Sequence, residues 1–158
     1  MAESRFGLGF DVHPHGSIRP LMLGGVLLDT DHGLAGHSDG DVVCHALADA
    51  LLGALAMGDI GDLFPDSDPA FAGIAGLDLL DGVLARVGEA GWVPESADLT
   101  VLAEHPPIAP RRDDIRASLA NALGVATERV SVKATRPEGL GLSSDGVGCL
   151  ALAVVRPA

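Results

Sequence analysis

The sequence predicts an α+β fold, a single mixed β-sheet packed against helices as an α/β sandwich. Three observations predict it. Short apolar or alternating runs at 5–11, 20–28, 97–103, 129–135 and 146–155 read as strands. Between them, 39–56, 77–90 and the stretch from Pro110 to Gly124 repeat their apolar residues at helical spacing. The resulting order, β-β-α-α-β-α-β-β, places strands at both ends and helices in the middle, which suggests one sheet covered by helices.

Each element has a local reason. In 39–56, Val43, Ala46, Leu47, Ala50, Leu51 and Ala54 recur every three or four residues, and Ser38 with Asp41 forms an S-x-x-D start signal. The last helix opens at Pro110, carries Ile115, Leu119, Ala122 and Leu123 on one face, and stops at Gly124. The Asp/Gly/Pro-rich stretch from Asp59 to Gly76 is long for a connection, and such loops usually carry function.

Composition narrows the function. The 158 residues form one expected domain, 1–158, with 47% hydrophobic residues in short runs. None approaches the roughly 18 consecutive apolar residues of a membrane span, so no membrane partner is expected. The opening MAESRFGLGFDV lacks a basic stretch followed by a long apolar one, and Cys44 and Cys149 provide no disulfide framework. The expected location is cytoplasmic. A net charge of −12 with Lys133 as the only lysine argues against nucleic acid as a partner. An anionic ligand must be held by metal ions, backbone N–H groups or a few arginines.

Candidate site residues begin in GFDVHPHG, 9–16. Asp11 and His13 leave a strand two residues apart, so both side chains lie on one side. Pro14 and Gly16 place His15 in a turn, as an exposed loop residue. On the first helix, at about 100° per residue, His45 lies opposite the Val43/Leu47/Ala50/Ala54 stripe and beside Asp41 and Asp49, which are placed to orient its second ring nitrogen. From that helix alone, the plainer reading of His45 is a surface histidine among acids. Asp11, His13 and His45 together would supply the three protein ligands of an open zinc-type site. GHSDGD, 36–41, ends at a helix start that favours an anion beside His37 and Ser38, although capping by Ser38 or Asp39 also accounts for it. KATRPEGLG, 133–141, carries Lys133, Thr135, Arg136 and Glu138 into a glycine-rich turn.

GFDVH (9–13), AGHSDGDVVCHALADALLGALAMGDIGDLFPDSDP (35–69), PPIAP (106–110) and KATRPEGLG (133–141) resemble the 2-C-methyl-D-erythritol 2,4-cyclodiphosphate synthase family of non-mevalonate isoprenoid biosynthesis. The resemblance covers nearly the whole chain, and the second motif is long, ungapped and specific. It implies a homotrimer around a central cavity, with active sites between subunits. It implies a divalent ion, usually zinc, on Asp11, His13 and His45, facing a substrate phosphate. It gives Glu138 a second ion, magnesium or manganese, that bridges the phosphates. His37 and Ser38 match the pair near the phosphate, and His37, Arg136 and Glu138 fall at catalytic positions. Asp59 and Gly61 match positions that meet the ribose hydroxyls, with Ile60 between them in the substrate-binding set. Phe64, Pro65, Asp66, Ser67 and Asp68 match a mobile loop over the methylerythritol phosphate. Ala103, Glu104, His105, Pro106, Pro107, Ile108 and Ala109, supplied by the neighbouring subunit, match the wall that reads cytosine through backbone groups. Thr135 and Leu142 complete the substrate-binding set.

The reaction so implied is intramolecular. The 2-phosphate of 4-diphosphocytidyl-2-C-methyl-D-erythritol 2-phosphate attacks the β-phosphorus and expels CMP, with no side-chain nucleophile. Three departures stand out. Arg136 replaces a family threonine, and Pro107 replaces a common lysine. Asp145, in SSDGVG (143–148), replaces the arginine that faces the central cavity and is associated with isoprenoid diphosphate, so that cavity function is not carried over. Two rival classes share the same residues: a divalent-metal phosphohydrolase using water, and a catalytically weakened trimeric binding module.

Overall fold

The protein, seen in a computed structural model, is described at residues 3–141 and 145–158. Strand β1 (Arg5–Ser17) alternates as its sequence demands: Gly7 and Gly9 are buried, while Phe6, Leu8, Phe10 and Val12 are exposed on the opposite side. β2 (Leu21–Leu23), β3 (Val26–Asp29) and β4 (Gly33–Leu34) follow, then helices α1 (Val42–Ala54), α2 (Ile60–Leu63) and α3 (Gly76–Glu89). β5 (Trp92–Ala103), α4 (Arg112–Leu123), β6 (Val130–Thr135) and β7 (Gly146–Pro157) complete the chain. The main sheet is mixed and runs β4-β1-β7-β5-β6, with β5 and β6 parallel and the other pairs antiparallel. The expected α+β architecture is the one observed.

Three of the expected strands differ most from expectation, each for a physical reason. The run 20–28 is two strands, because Gly24 and Gly25 (φ 60° and 73°) turn the chain back on itself into a separate β2–β3 hairpin. β1 continues through Pro14 to residue 17, since β7 pairs with it as far as Pro14 and β4 takes over at His15. β5 begins at Trp92 rather than 97, and its register against β7 shifts between Pro94 and Ser96. A proline at a strand irregularity is compatible with pairing on both sides, whereas in sequence it reads as a break.

Helix α1 fills the space between the sheet and α3, so Val42, Val43, Ala46, Leu47, Ala48, Ala50, Leu51 and Leu52 are all buried. It starts at Val42, not 39, and its cap is Asp41 rather than Ser38. The fully buried Asp41 carboxylate accepts from Val43 N (3.2 Å) and Cys44 N (3.1 Å) and also from Gly24 N and Gly25 N (2.8 Å each). One side chain thus caps the helix and pins the β2–β3 turn to it. Burial nevertheless raises its pKa, against those backbone donors. Cys44 and Cys149 are free and buried, and burial raises both thiol pKa values, as suits small packing residues. No helix among the described residues is long and apolar enough to cross a membrane.

The α1–β1 contact is close because β1 presents glycines there. A methyl group at Gly9 would meet the Ala46 carbonyl oxygen and, at 2.7 Å, the Ala50 nitrogen; one at Gly7 would meet the Ala50 carbonyl and Gly53 carbon. Both obstacles are backbone, which cannot rotate aside. Gly9→Ala is therefore expected to destabilise the fold by about 3 kcal/mol or more, read as a lower midpoint in urea unfolding, whereas the exposed Gly91→Asn change should cost far less.

Candidate active site

The glycines set the height of α1 above β1, and past Gly9 the same face of β1 carries Asp11 and His13. His45, on the adjoining face of α1, reaches down to them. Asp11 Oδ2 lies 3.0 Å from His45 Nδ1 and 3.2 Å from His13 Nε2, and the rings stand edge to face at 5.8 Å. Their donor atoms all fall within 4.8 Å of one another, the one such cluster of three or more His, Cys, Asp or Glu groups among the described residues.

Both imidazoles are oriented from behind. His13 Nδ1 is 2.7 Å from the Ala35 carbonyl, which can only accept, so Nδ1 carries a proton and Nε2 is the nitrogen that faces the centre. His45 Nε2 is 3.2 Å from Ser38 Oγ, leaving Nδ1 for the centre. This is the outer-shell arrangement that metal-bound histidines show, so the residues present fit a divalent cation. The electrostatics agree: burial would raise the Asp11 pKa, but hydrogen bonds from His13 and His45 and their charge pull it well below the carboxylate range. The same hydrogen bond to Asp11 raises His13 above its ordinary value, against burial.

Two expectations about this helix are corrected. His45 is only 4% exposed, because α1 is buried on nearly all its faces and the ring turns onto Asp11 and His13 of β1. Asp41 and Asp49 do not orient it: Asp41 caps the helix, and Asp49 accepts from Ile60 N (2.8 Å). Asp11 and Ser38 take that place. The expected anion site at the helix start is also corrected, since the Asp41 carboxylate already occupies the first N–H groups of α1. Instead His37 and Ser38 sit in a loop held by Arg19, whose guanidinium bonds the carbonyls of Leu34 (2.9 and 2.6 Å), Gly36 (3.2 Å) and Ser38.

Asp11, His13, His37, Ser38, His45, Ile60, Gly61, Phe64, Pro65, Asp66 and Asp68 line one cleft of about 410 Å³, together with Phe71, Ile74 and Leu79. Nearly all the residues expected around the metal and loop thus share one cavity. Asp59 and Ser67 do not line it; Asp59 caps α2 and Asp68 caps the 3₁₀ turn Pro69–Phe71, while Phe64 and Phe71 meet edge to face at 5.1 Å. The expected nucleotide wall lies elsewhere on the same chain. Ala103, Glu104, Pro107, Ile108, Ala109, Thr135 and Arg136 line a separate cleft of about 200 Å³ with Ala134 and Arg112. Glu138 is exposed at φ 52° and lines neither cavity, and Leu142 lies outside the described residues. His105 and Pro106 face a third cleft, of about 430 Å³, with His15, Asp29, His32 and Pro107. His15 is thus not an exposed loop residue: it continues β1 and is half-buried.

Sequence reasoning missed Arg19 and Arg112. Nothing local marks Arg19. Arg112 follows PPIAP by two positions, and its guanidinium has no hydrogen-bond or ion-pair partner among the described residues, as is true of Arg136 in the same cleft.

The profile of the YgbB family matches residues 4–156. The chain belongs to the YgbB family. Members similar to it include 2-C-methyl-D-erythritol 2,4-cyclodiphosphate synthases from Moorella thermoacetica, 51% identical over 96% of this chain and 93% of the relative, and Trichlorobacter lovleyi, 48% identical over 96% of each. Among solved structures, a CDP-bound 2C-methyl-D-erythritol-2,4-cyclodiphosphate synthase superimposes with a TM-score of 0.88 at 34% identity, covering 96% of this chain and 99% of that one. The bifunctional IspDF from Campylobacter jejuni matches all of this chain with a TM-score of 0.94 at 37% identity, and the chain spans 43% of that protein's length.

For this YgbB-family centre, with zinc as the probe cation, His45→Ala should abolish tight binding while the circular dichroism spectrum persists. Losing a direct ligand should exceed the roughly 10- to 100-fold cost of losing an outer partner, the range expected for Ser38→Ala. Retention of zinc by His45→Ala in equilibrium dialysis would remove the assignment. Because His13 must shed its proton to ligate, zinc affinity should fall as the pH drops through the raised His13 pKa. Calorimetry in buffers of different ionisation enthalpy reads the released proton.

Proposed function

We propose that this chain, residues 1–158 acting as one domain in the cytoplasm, is a 2-C-methyl-D-erythritol 2,4-cyclodiphosphate synthase. One observation carries the reading: an Asp11/His13/His45 centre already assembled in a cleft, in a chain 48 and 51% identical to such synthases over 96% of its length. The reaction is closure of a ring. An oxygen of the 2-phosphate of 4-diphosphocytidyl-2-C-methyl-D-erythritol 2-phosphate bonds to the β-phosphorus, the bond from that phosphorus to the CMP oxygen breaks, and CMP departs without water being consumed.

Asp11, His13 and His45 would hold one divalent cation, zinc, and Glu138, exposed outside both clefts of the single chain, would hold a second, magnesium or manganese; when bound they would supply charge neutralisation and Lewis acidity to the phosphates. The rest falls to positioning, which for two groups held in line is worth about 7–11 kcal/mol. Ser38 Oγ accepts from Gly40 N (3.1 Å) and faces the proton-bearing His45 Nε2, which leaves its own O–H to donate into the cleft. His37 stands beside it at the cleft surface. Asp59 and Gly61 meet the ribose hydroxyls, and the segment from Phe64 to Asp68 covers the methylerythritol phosphate. Arg136 supplies a cation where Pro107 supplies none, and the wall from Ala103 to Ala109 reads cytosine through its backbone.

A homotrimer with sites between subunits reconciles the two separate clefts, since the wall of one subunit then completes the metal cleft of its neighbour. The open face of the sheet supports this. Phe6 and Leu8 are 75% and 64% exposed, and Leu8 pairs with Leu152 and Phe10 with Leu150, giving a contiguous apolar patch across β1 and β7.

Incubating the protein with the cytidine diphosphate substrate, zinc and magnesium should yield CMP and a cyclic diphosphate. Mass spectrometry separates this from the phosphohydrolase, whose products gain one water; no turnover with metal bound and the trimer intact would leave only a binding module. In sedimentation, Leu8→Glu should convert trimer to monomer and lose activity while keeping its zinc.

A further inference from the structure

Resting on the nucleotide-binding reading of the wall above, we infer that His15 is a positioning residue: its imidazole holds the His105 carbonyl and thereby fixes segment 103–109 against the nucleotide. His15 lies two residues beyond His13 on β1. Its backbone is fixed on both sides, with its N–H on the Asp145 carbonyl at 2.8 Å and its Cα opposite Leu34 of β4. From this anchored position, Nε2 lies 3.2 Å from the carbonyl oxygen of His105, a residue 90 positions away. A carbonyl only accepts, so Nε2 carries the proton. Nδ1 is buried without a partner, so the ring's hydrogen bonding is committed to that one contact.

The contact matters because little else holds the segment. Pro106 and Pro107 have no backbone N–H, so this stretch must be tied down largely through its carbonyls. Among the described residues, the bond from His15 is the one side-chain hydrogen bond that reaches residues 104–107, and no loop or turn hydrogen bond of the backbone ends on them. The wall is also thin. Pro107 lines both the cleft that holds His15 and the one that holds Arg112 and Arg136, so a shift on the His15 side moves the nucleotide side. β1 therefore carries two metal ligands and, one further step along the same face, the brace for the nucleotide wall. In the trimer those two serve adjacent active sites.

The test compares His15→Ala with His15→Gln, whose side-chain amide N–H can still reach the carbonyl. His15→Ala should raise the Kd for CDP and the substrate KM by about 3- to 10-fold, the range set by one net hydrogen bond, with zinc content and kcat unchanged. His15→Gln should restore both. Hydrogen exchange of the amides in 103–109 should accelerate in His15→Ala and recover in His15→Gln, a readout that needs no nucleotide and so separates this inference from the assigned reaction. Unchanged exchange in His15→Ala, an unchanged CDP Kd where the wild type binds CDP, loss of zinc together with affinity, or a Gln variant as weak as Ala would each overturn it.

Discussion

The rest of the structure depends on the approach of α1 to β1 over Gly7 and Gly9. A helix laid on a strand is normally held off by side chains from both. Here β1 contributes none at two successive inward positions, and the helix answers with Ala46, Ala50 and Ala54. Backbone then meets backbone, and the helix sits low enough for His45 to reach Asp11 at 3.0 Å. The glycines are as much a part of the site as its ligands, because an imidazole cannot lengthen to cover a gap opened by a methyl group. Rigidity follows from the same contact. Interiors packed to this density transmit displacement, so the ligands share a fixed frame and the cation need not order them.

Charge is distributed with the same economy. The chain holds 22 acids against 10 lysines and arginines, and its two most buried acids near the site are both answered locally. Asp41 is surrounded by four backbone N–H groups, and Asp11 by two imidazoles. Their treatments lead to opposite outcomes. Burial outweighs the backbone donors at Asp41 and raises its pKa, while the imidazoles outweigh burial at Asp11 and lower it. Asp11 therefore stays ionised and available to a cation, while Asp41 is committed to structure. The arginines divide similarly: Arg19 is spent on carbonyls that shape the 34–38 loop, whereas Arg112 and Arg136 face a cleft without partners.

Asp11, His13 and His45 were legible in the sequence because they obey short periods, two along a strand and about 3.6 along a helix. What those periods cannot express is which face of a buried helix looks where. With α1 buried on nearly all its faces, His45 met Asp11 and His13 rather than solvent, and the neighbours expected to orient it had other work. Ser38 looked like a cap for the helix and is the outer partner of its histidine, an exchange of roles with Asp41 that depends on where the Gly24–Gly25 turn docks. His15 was misread for a similar reason. Pro14 and Gly16 are turn residues in isolation, but pairing with β7 and β4 on either edge overrides that preference. Arg19 carries no local pattern, since the carbonyls it binds lie 15 or more positions away, and the cleft that Arg112 lines is assembled from distant segments.

The candidate metal cleft is built on β1 and α1, packed backbone to backbone, while the segment proposed as the nucleotide wall hangs between β5 and α4 with two prolines and few ties. A reaction that joins two phosphates of one substrate needs the first to be unyielding, because an error of a fraction of an ångström there misaligns attack. The second, on the proposed reading, only has to recognise a base, and backbone recognition tolerates adjustment. Separating the two on one chain lets each have the stiffness its task requires, and it leaves a single strand, β1, to keep them in register. A substitution on β1 that leaves the glycines and ligands intact should therefore act on recognition before it acts on chemistry.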